Sequence, residues 1–238
     1  MPNHHLSKQY DLELDAIRTQ VLQMGALVEG QCRMAIDSFW TGNLSQAHDV
    51  INGDKRVNSL EVHLDDACNH VIVRRQPTAN DLRLIMATLK VITDLERIGD
   101  EATKIARNAI NLTKRLYLVA DLKSDLEMLS EDVVAMLQES VETFACMDSG
   151  RATALITRDQ RIDNEFRSVM LRLITAMSDD PRSISPRLDI LWIAKALERI
   201  GDHSKNIAEY VIFVASGQDI RHMNDQADAM PELGVPRT

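Results

Sequence analysis

Two pairs of carboxylates, each inside a copy of the pentapeptide Glu-Arg-Ile-Gly-Asp, are the side chains of this chain best suited to chemistry. The copies occupy Glu96–Asp100 and Glu198–Asp202. Because residues four apart share one face of a helix, each copy places two acidic side chains next to each other. Adjacent carboxylate oxygens are typical ligands of hard cations such as magnesium, calcium and manganese. The repeat therefore predicts two related metal-binding faces.

An ordinary charged surface is the alternative for either carboxylate pair taken alone. Arg97 and Lys104 are close enough along the helix to neutralise the first pair. The repeated glycine changes the balance, because Gly99 and Gly201 lie inside long helical patterns, where glycine costs about 0.5–1 kcal/mol relative to alanine. Gly99 also falls on the apolar stripe of its helix. We therefore expect the glycines to serve helix packing and the carboxylates to bind metal.

A second pair of matching segments could supply further oxygen ligands. Asp54–Val57 aligns with Asp159–Ile162, followed by Asn58 in the first copy and Asp163 in the second. If the helices that carry these segments pack antiparallel to those of the pentapeptides, the oxygen side chains approach the repeated carboxylates. A ligand set made only of oxygen suits magnesium, calcium, manganese or iron better than zinc or copper.

The elements that must position these residues are helices. Turn and cap residues divide the chain into six helical segments, expected at about 7–41, 44–75, from 79 onward, 121–147, 151–177 and 185–217. Asn43 is expected to cap the second helix. Thr78 and Asp81 resemble a capping box for the third, and Ser185 and Pro186 are expected to begin the sixth.

Composition and the repeat together predict the fold class. Only 9 Gly and 6 Pro occur in 238 residues, and 45% of the residues are hydrophobic, which is typical of a helical protein with few turns. We expect an all-α fold of two tandem antiparallel three-helix bundles related by the internal repeat. The predicted domains are 1–115 and 116–217, followed by a flexible C-terminal tail at 218–238.

Charge and hydropathy exclude several classes of function. A formal net charge of -9 argues against binding to nucleic acid, which depends on Lys and Arg. No stretch is apolar enough for a membrane span, and the first residues do not resemble a signal segment, so we expect a soluble cytoplasmic protein. The three cysteines, Cys32, Cys68 and Cys146, are far apart and are expected to pack as small apolar residues.

The motifs also resemble those of a known family. Two Glu-Arg-Ile-Gly-Asp copies on matching three-helix halves, with Arg74–Thr78 ahead of the first and Asn206–Tyr210 after the second, are similar to the PhoU family. The resemblance covers nearly the whole chain. It implies a cytoplasmic negative regulator of phosphate uptake that works beside the phosphate ABC transporter and the sensor histidine kinase of the phosphate regulon. It also implies a homodimer, with contact to the membrane only through protein partners.

The same resemblance implies metal ligation, since some family members carry iron or other metal clusters on these motifs. Iron, manganese and magnesium are the ions to expect. The residues that match the metal-binding positions are Glu96, Asp100, Glu198, Asp202, Asp54, Asp159 and Asp163. Asn58 departs from the carboxylate pattern, and its neutral amide should weaken or abolish metal binding in the first half.

The expected mechanism is contact with partners and not catalysis, because the sequence contains no recognisable nucleophile paired with a base. An adaptor between the kinase and the transporter is the function that we expect. One alternative is a helical carboxylate metalloenzyme, either a hydrolase or an oxidase. Another is that the acidic residues are purely structural or face a partner without binding metal.

Overall fold

Six long helices make up the fold. The computed structural model describes residues 8–113 and 115–217, and within these ranges it contains no β-strand. The helices are α1 Lys8–Thr41, α2 Leu44–Arg75, α3 Ala79–Leu112, α4 Lys123–Cys146, α5 Ser149–Asp179 and α6 Ile184–Ser216. Short 3-10 turns at Leu116–Val119 and Pro181–Ser183 precede α4 and α6. No described helix has the length and apolar character needed to cross a membrane.

The helix boundaries in the first half follow from the residues between the helices. Gly42 adopts a φ of 67°, a left-handed conformation that glycine tolerates, and so ends α1. The side chain of Asn43 then accepts a hydrogen bond from the backbone N–H of Gln46 at 3.2 Å, as expected of an N-cap. At the end of α2, Gln76 has a φ of 47° just before the helix-breaking Pro77.

Two of the expected helix starts are wrong in detail. Thr78 makes no side-chain cap to the backbone; its hydroxyl instead donates to Asp81 Oδ2 at 3.2 Å, so the capping box does not form. The sixth helix is preceded by Ser183 and not capped by Ser185. The helix begins at Ile184, directly after a 3-10 turn that Asp180 caps by accepting a hydrogen bond from the N–H of Arg182 at 3.1 Å.

The apolar stripes of all six helices meet in one core that runs through both halves. In the second half, α4, α5 and α6 pack together as α1, α2 and α3 do in the first. The helices α3 and α6 pack along each other at the centre and share the most extensive helix–helix interface of the described chain. The fold is therefore the predicted pair of three-helix bundles, joined side by side along α3 and α6. The domain boundary near residue 115 stays a prediction, and the tail at 218–238 lies outside the described residues.

The cysteines differ from one another. Cys32 and Cys68 are buried as expected, but Cys146 is exposed. The expectation that it packs as an apolar residue is wrong, because it is the last residue of α4, where the helix leaves the core.

Buried polar contacts fix the register of α3 against α6. His203 Nδ1 donates to Asp94 Oδ1 at 2.7 Å, and Arg199 Nε lies 3.1 Å from Glu101 Oε1. Asp94, Glu101 and His203 are all buried, and buried polar groups that lose a partner cost about 1–3 kcal/mol each. Sliding one helix past the other would break both contacts at once. Arg199 and His203 directly follow the carboxylates of the second pentapeptide, so this interface also positions them.

Candidate metal centres

Three aspartates converge between α5 and α6. Asp159 and Asp163 lie one turn apart on α5, and Asp202 faces them from α6. One carboxylate oxygen from each lies within 4.8 Å of the other two. Asp159 is only 1% exposed. Among the described residues this is the one group of three or more acidic, histidine or cysteine side chains that meets so closely.

Glu198 lies one turn before Asp202 and adds a fourth carboxylate at the edge of this second-half cluster. Both oxygens of Glu198 accept hydrogen bonds from Lys195 Nζ at 2.5 Å. A second lysine reaches the centre of the cluster, where Lys205 Nζ lies 2.8 Å from Asp159 Oδ2. The cluster thus contains four carboxylates and two ammonium groups.

Burial and mutual repulsion raise the pKa values of two carboxylates in this cluster. Burial, followed by the charges of Glu198, Asp159 and Asp163, raises the pKa of Asp202 to about 6. Burial and the charges of Asp159 and Glu198 likewise raise the pKa of Asp163. A raised acid pKa means that the ionised form is disfavoured in the folded protein. A bound cation would remove this penalty, because an opposite charge favours the ionised form.

The first-half cluster lies between α2 and α3. Asp54 faces α3, since burial and then the charge of Asp100 raise the pKa of Asp54. Burial, Asp100, Glu61 and Asp54 similarly raise the pKa of Glu96. Asn58 donates from Nδ2 to Asp54 Oδ2 at 3.5 Å. The expected first-half residues therefore face one another, although they do not converge as tightly as the three aspartates of the second half.

Glu61 is a member of the first-half cluster that the sequence analysis missed. Burial and the charge of Asp65 raise the pKa of Glu61, and the charge of Asp100 adds to the rise. Arg97 opposes it, but the net direction is upward. The signal was present in the spacing, because positions 54, 58 and 61 follow the three-and-four pattern of one helix face. Glu61 thus supplies this cluster with a negative charge that the neutral Asn58 does not.

The donor set of both clusters fits a hard cation. The side-chain oxygens Asp159 Oδ1 and Asp54 Oδ1 are buried, and neither has a hydrogen-bond partner in the described structure. A buried oxygen without a partner is uncommon and often marks a site for water or an ion. Oxygen ligands alone suit magnesium, manganese or iron. Asp159, Asp163, Glu198 and Asp202 would hold a cation in the second half.

Comparison with family models places both repeats in one family. A model described as the PhoU domain matches residues 21–109 and again residues 126–211. Each match spans one of the two three-helix halves and includes one carboxylate cluster. The chain belongs to the PhoU family.

Individual PhoU proteins match over nearly their full length. The phosphate-specific transport system accessory protein PhoU of Serratia marcescens is 44% identical over 97% of this chain and 93% of its own length. The protein of the same name from Escherichia coli K12 is 41% identical over 96% of this chain and 94% of its own length.

Solved PhoU structures share the fold. The crystal structure of PhoU from Pseudomonas aeruginosa superposes with a TM-score of 0.82 at 38% identity and covers 88% of this chain and 100% of its own. The phosphate transport system regulatory protein PhoU from Streptococcus pneumoniae also gives a TM-score of 0.82, at 25% identity, and covers 88% of this chain and 98% of its own.

The glycines and the arginines of the PhoU motif have different structural roles. A Cβ atom added at Gly201 would lie 3.2 Å from Ile162 Cγ2, and one at Gly99 would lie 3.4 Å from Val57 Cγ1. Both glycines thus let the neighbouring helix approach closely, as expected. The charge of Arg97 only partly opposes the rise in the pKa of Glu96, whereas its counterpart in the second motif, Arg199, pairs with Glu101 of α3. The two arginines are therefore not equivalent.

Proposed function

We propose that this PhoU-family protein is a cytoplasmic negative regulator of phosphate uptake and of phosphate-regulon signalling. The observation that carries the proposal is the match, over nearly the whole length of both chains, to relatives named as accessory proteins of the phosphate-specific transport system. The name of the Streptococcus pneumoniae structure, a phosphate transport system regulatory protein, supports the same role. A match of this extent leaves no large domain of the relatives unaccounted for.

The proposed mode of action is that of an adaptor between two partners. One partner is the sensor histidine kinase of the phosphate regulon, and the other is the set of cytoplasmic subunits of the phosphate ABC transporter. Long helices joined by short turns offer extended rigid faces for such contacts. The protein would act as a homodimer and reach the membrane only through these partners.

Cation binding at the two carboxylate clusters is part of the proposal. A cation bound at either cluster would offset the burial and the repulsion that raise the pKa values of Glu96 and Asp202 and would join two helices of the same half. Asp54, Glu96 and Asp100 would hold it in the first half, with α2 and α3 as the linked helices. Metal binding would then stabilise the adaptor in the shape that its partners recognise.

The regulatory proposal is tested by deleting the gene and measuring a reporter of phosphate scavenging in phosphate-rich medium. The deletion strain is expected to express the reporter although phosphate is plentiful, and the wild-type gene is expected to restore repression. A deletion strain that represses the reporter normally would overturn the regulatory role.

The metal part is tested in the same strain with a Glu96→Ala, Asp100→Ala double variant. A matched control replaces Glu127 and Glu131, two acids four apart on α4 that belong to neither cluster. We expect the cluster variant to repress poorly and to retain about one fewer metal ion, while the control behaves as wild type. Full metal retention by the cluster variant would show that the first-half site is elsewhere.

The alternative of a helical metalloenzyme predicts a different outcome. A hydrolase or oxidase would show turnover that requires Glu96 and Glu198, the first acid of each motif. Metal-dependent turnover that is lost in both Glu→Gln variants would replace the adaptor mechanism with an enzymatic one.

A further inference from the structure

The two halves differ at one position that faces each cluster. Both motifs lie on uninterrupted helices, so the repeats align without a gap at an offset of 102 residues. In the gapless alignment Thr103 corresponds to Lys205. Each follows the final aspartate of its motif by three residues and therefore points to the same side of its helix.

In the second half, the lysine is an internal cation of the cluster. Lys205 Nζ lies 2.8 Å from Asp159 Oδ2, and Asp159 is 1% exposed. Its ammonium therefore forms an ion pair with Asp159 at the centre of the cluster. It occupies one oxygen of the most buried carboxylate in the cluster.

In the first half, no such cation is supplied by the chain. Thr103 is 4% exposed, and its neutral hydroxyl lies beside Asp54, where a hydrogen bond to that carboxyl opposes the rise in its pKa. Among the described residues, no Lys or Arg nitrogen lies within the 4.0 Å ion-pair distance of Asp54. Arg107 contributes only a more distant charge to Asp54, and its own side chain is exposed.

A buried amide from α1 reaches the same place. Gln31 is 2% exposed, and neither its Oε1 nor its Nε2 has a hydrogen-bond partner. A Cβ atom at Gly53 would lie 3.1 Å from Gln31 Nε2, and one at Gly99 would lie 3.6 Å from Gln31 Oε1. These glycines directly precede the two aspartates of the first-half cluster. Gln31 thus brings an unpartnered amide to the junction of α1, α2 and α3 at which Gly53 and Gly99 lie.

We propose that the first-half cluster is the high-affinity cation site of the protein, and that Lys205 is a built-in cation which occupies the equivalent position in the second half. This inference rests on the proposed metal binding and adds its distribution between the halves. The neutral Asn58 led us to expect weaker metal binding in the first half, and this inference reverses that order. Glu61 supplies the negative charge that Asn58 lacks. Lys195 and Lys205 neutralise carboxylates of the second half only. A divalent ion must displace Lys205 to reach Asp159, whereas Asp54 offers an unpaired oxygen.

The test is a titration of the metal-free protein with Mn²⁺ by equilibrium dialysis, with bound manganese counted by mass spectrometry. The variants are Lys205→Thr and Thr103→Lys, which exchange the two residues between the halves. Lys104→Thr is the matched control, because it removes a lysine that pairs with Glu101 and not with a cluster carboxylate. Circular dichroism and thermal unfolding check that each variant folds.

The wild-type protein is expected to bind one Mn²⁺ tightly and a second at least about tenfold more weakly, since a unit charge held against a carboxylate is a strong competitor. Lys205→Thr should strengthen the second site by about tenfold or more, and Lys104→Thr should not. Thr103→Lys should remove the tight site. The lysine at the buried position 103 could prevent folding of that variant. In that case, Lys205→Thr and Lys205→Met, which keeps the bulk of the side chain, still show whether Lys205 weakens the second site.

Two results would overturn the inference alone, and a third would also overturn the proposed metal binding. Two equal sites in the wild-type protein, or a second site that neither Lys205 variant strengthens, would refute the role of Lys205 while leaving metal binding intact. If neither the wild-type protein nor any variant binds Mn²⁺, the proposed metal function itself fails, and the inference fails with it.

Discussion

Replacing Asp202 by asparagine should stabilise the metal-free protein near neutral pH. Burial and the charges of Glu198, Asp159 and Asp163 raise the pKa of Asp202 from 3.8 to about 6. Because folding raises this pKa, the ionised carboxylate opposes folding above the folded-state value. The penalty disappears once the pH falls below the unfolded-state value, where the group is protonated in both states.

The expected size follows from the shift. A difference of about two pKa units corresponds to about 3 kcal/mol, and solvent screening of this partly exposed group reduces the figure by about half. We therefore expect the Asp202→Asn variant to be more stable by about 1.5 kcal/mol, which for a chain of this size is a rise in Tm of about 3–6 °C. Below about pH 4 the two proteins should unfold at the same temperature.

The assay is thermal unfolding followed by circular dichroism, with a chelator present so that no metal contributes. Asp66→Asn is the control, because Asp66 is exposed on α2 and belongs to neither cluster. Its substitution should change Tm by less than about 1 °C. An Asp202→Asn variant that is no more stable than wild type near neutral pH would refute the claim that the cluster holds repelling carboxylates in the folded protein.

Two further predictions concern contacts that α1 makes with neighbouring helices. Gly25→Ala places a Cβ atom 2.7 Å from Val141 Cγ1 and should lower the free energy of unfolding by about 1–3 kcal/mol. Gly30→Ala, with nothing within 4 Å of the added atom, should raise it by about 0.5–1 kcal/mol. The assay is urea unfolding, and midpoints that shift in the same direction in both variants would contradict this interpretation of the α1–α4 contact. Hydrogen bonds from Arg75 lower the pKa of Glu13 below its ordinary value, so Glu13→Gln should destabilise the protein near neutral pH. That difference should close as the pH falls below about 4.5 and through the folded-state pKa, and a difference that persists in acid would show that the ion pair is not its cause.

Much of the fold could be predicted because local signals and the repeat agree. Gly42 and Pro77 end helices through their own backbone preferences, and Asn43 begins one by capping it with its side chain. These local effects act independently of the rest of the molecule. The start of α6 was misplaced because a 3-10 turn capped by Asp180 leads directly into the helix at Ile184, and the pattern around Ser185 and Pro186 does not reveal that turn. The joining of α3 and α6 along buried polar contacts depends on the packing of two distant segments.

The candidate site was predicted in part for the same reason. Carboxylates repeated four apart identified the candidate metal-binding faces, and the structure brings the members of each half near one another. Glu61 was missed because it has no acidic counterpart in the second half, where Phe166 occupies the matching position. The contact of Lys205 with Asp159 was missed because it depends on how α5 packs against α6, which the sequence does not show.

Diffraction from crystals grown with Mn²⁺, measured for its anomalous signal, tests the central claim most directly. The account predicts a strong anomalous peak beside Asp54 and Asp100 and a weaker peak, or none, beside Asp159, where Lys205 holds the carboxylate. Bound manganese that lies at neither cluster would contradict the claim that these repeated carboxylates are the cation sites of the protein.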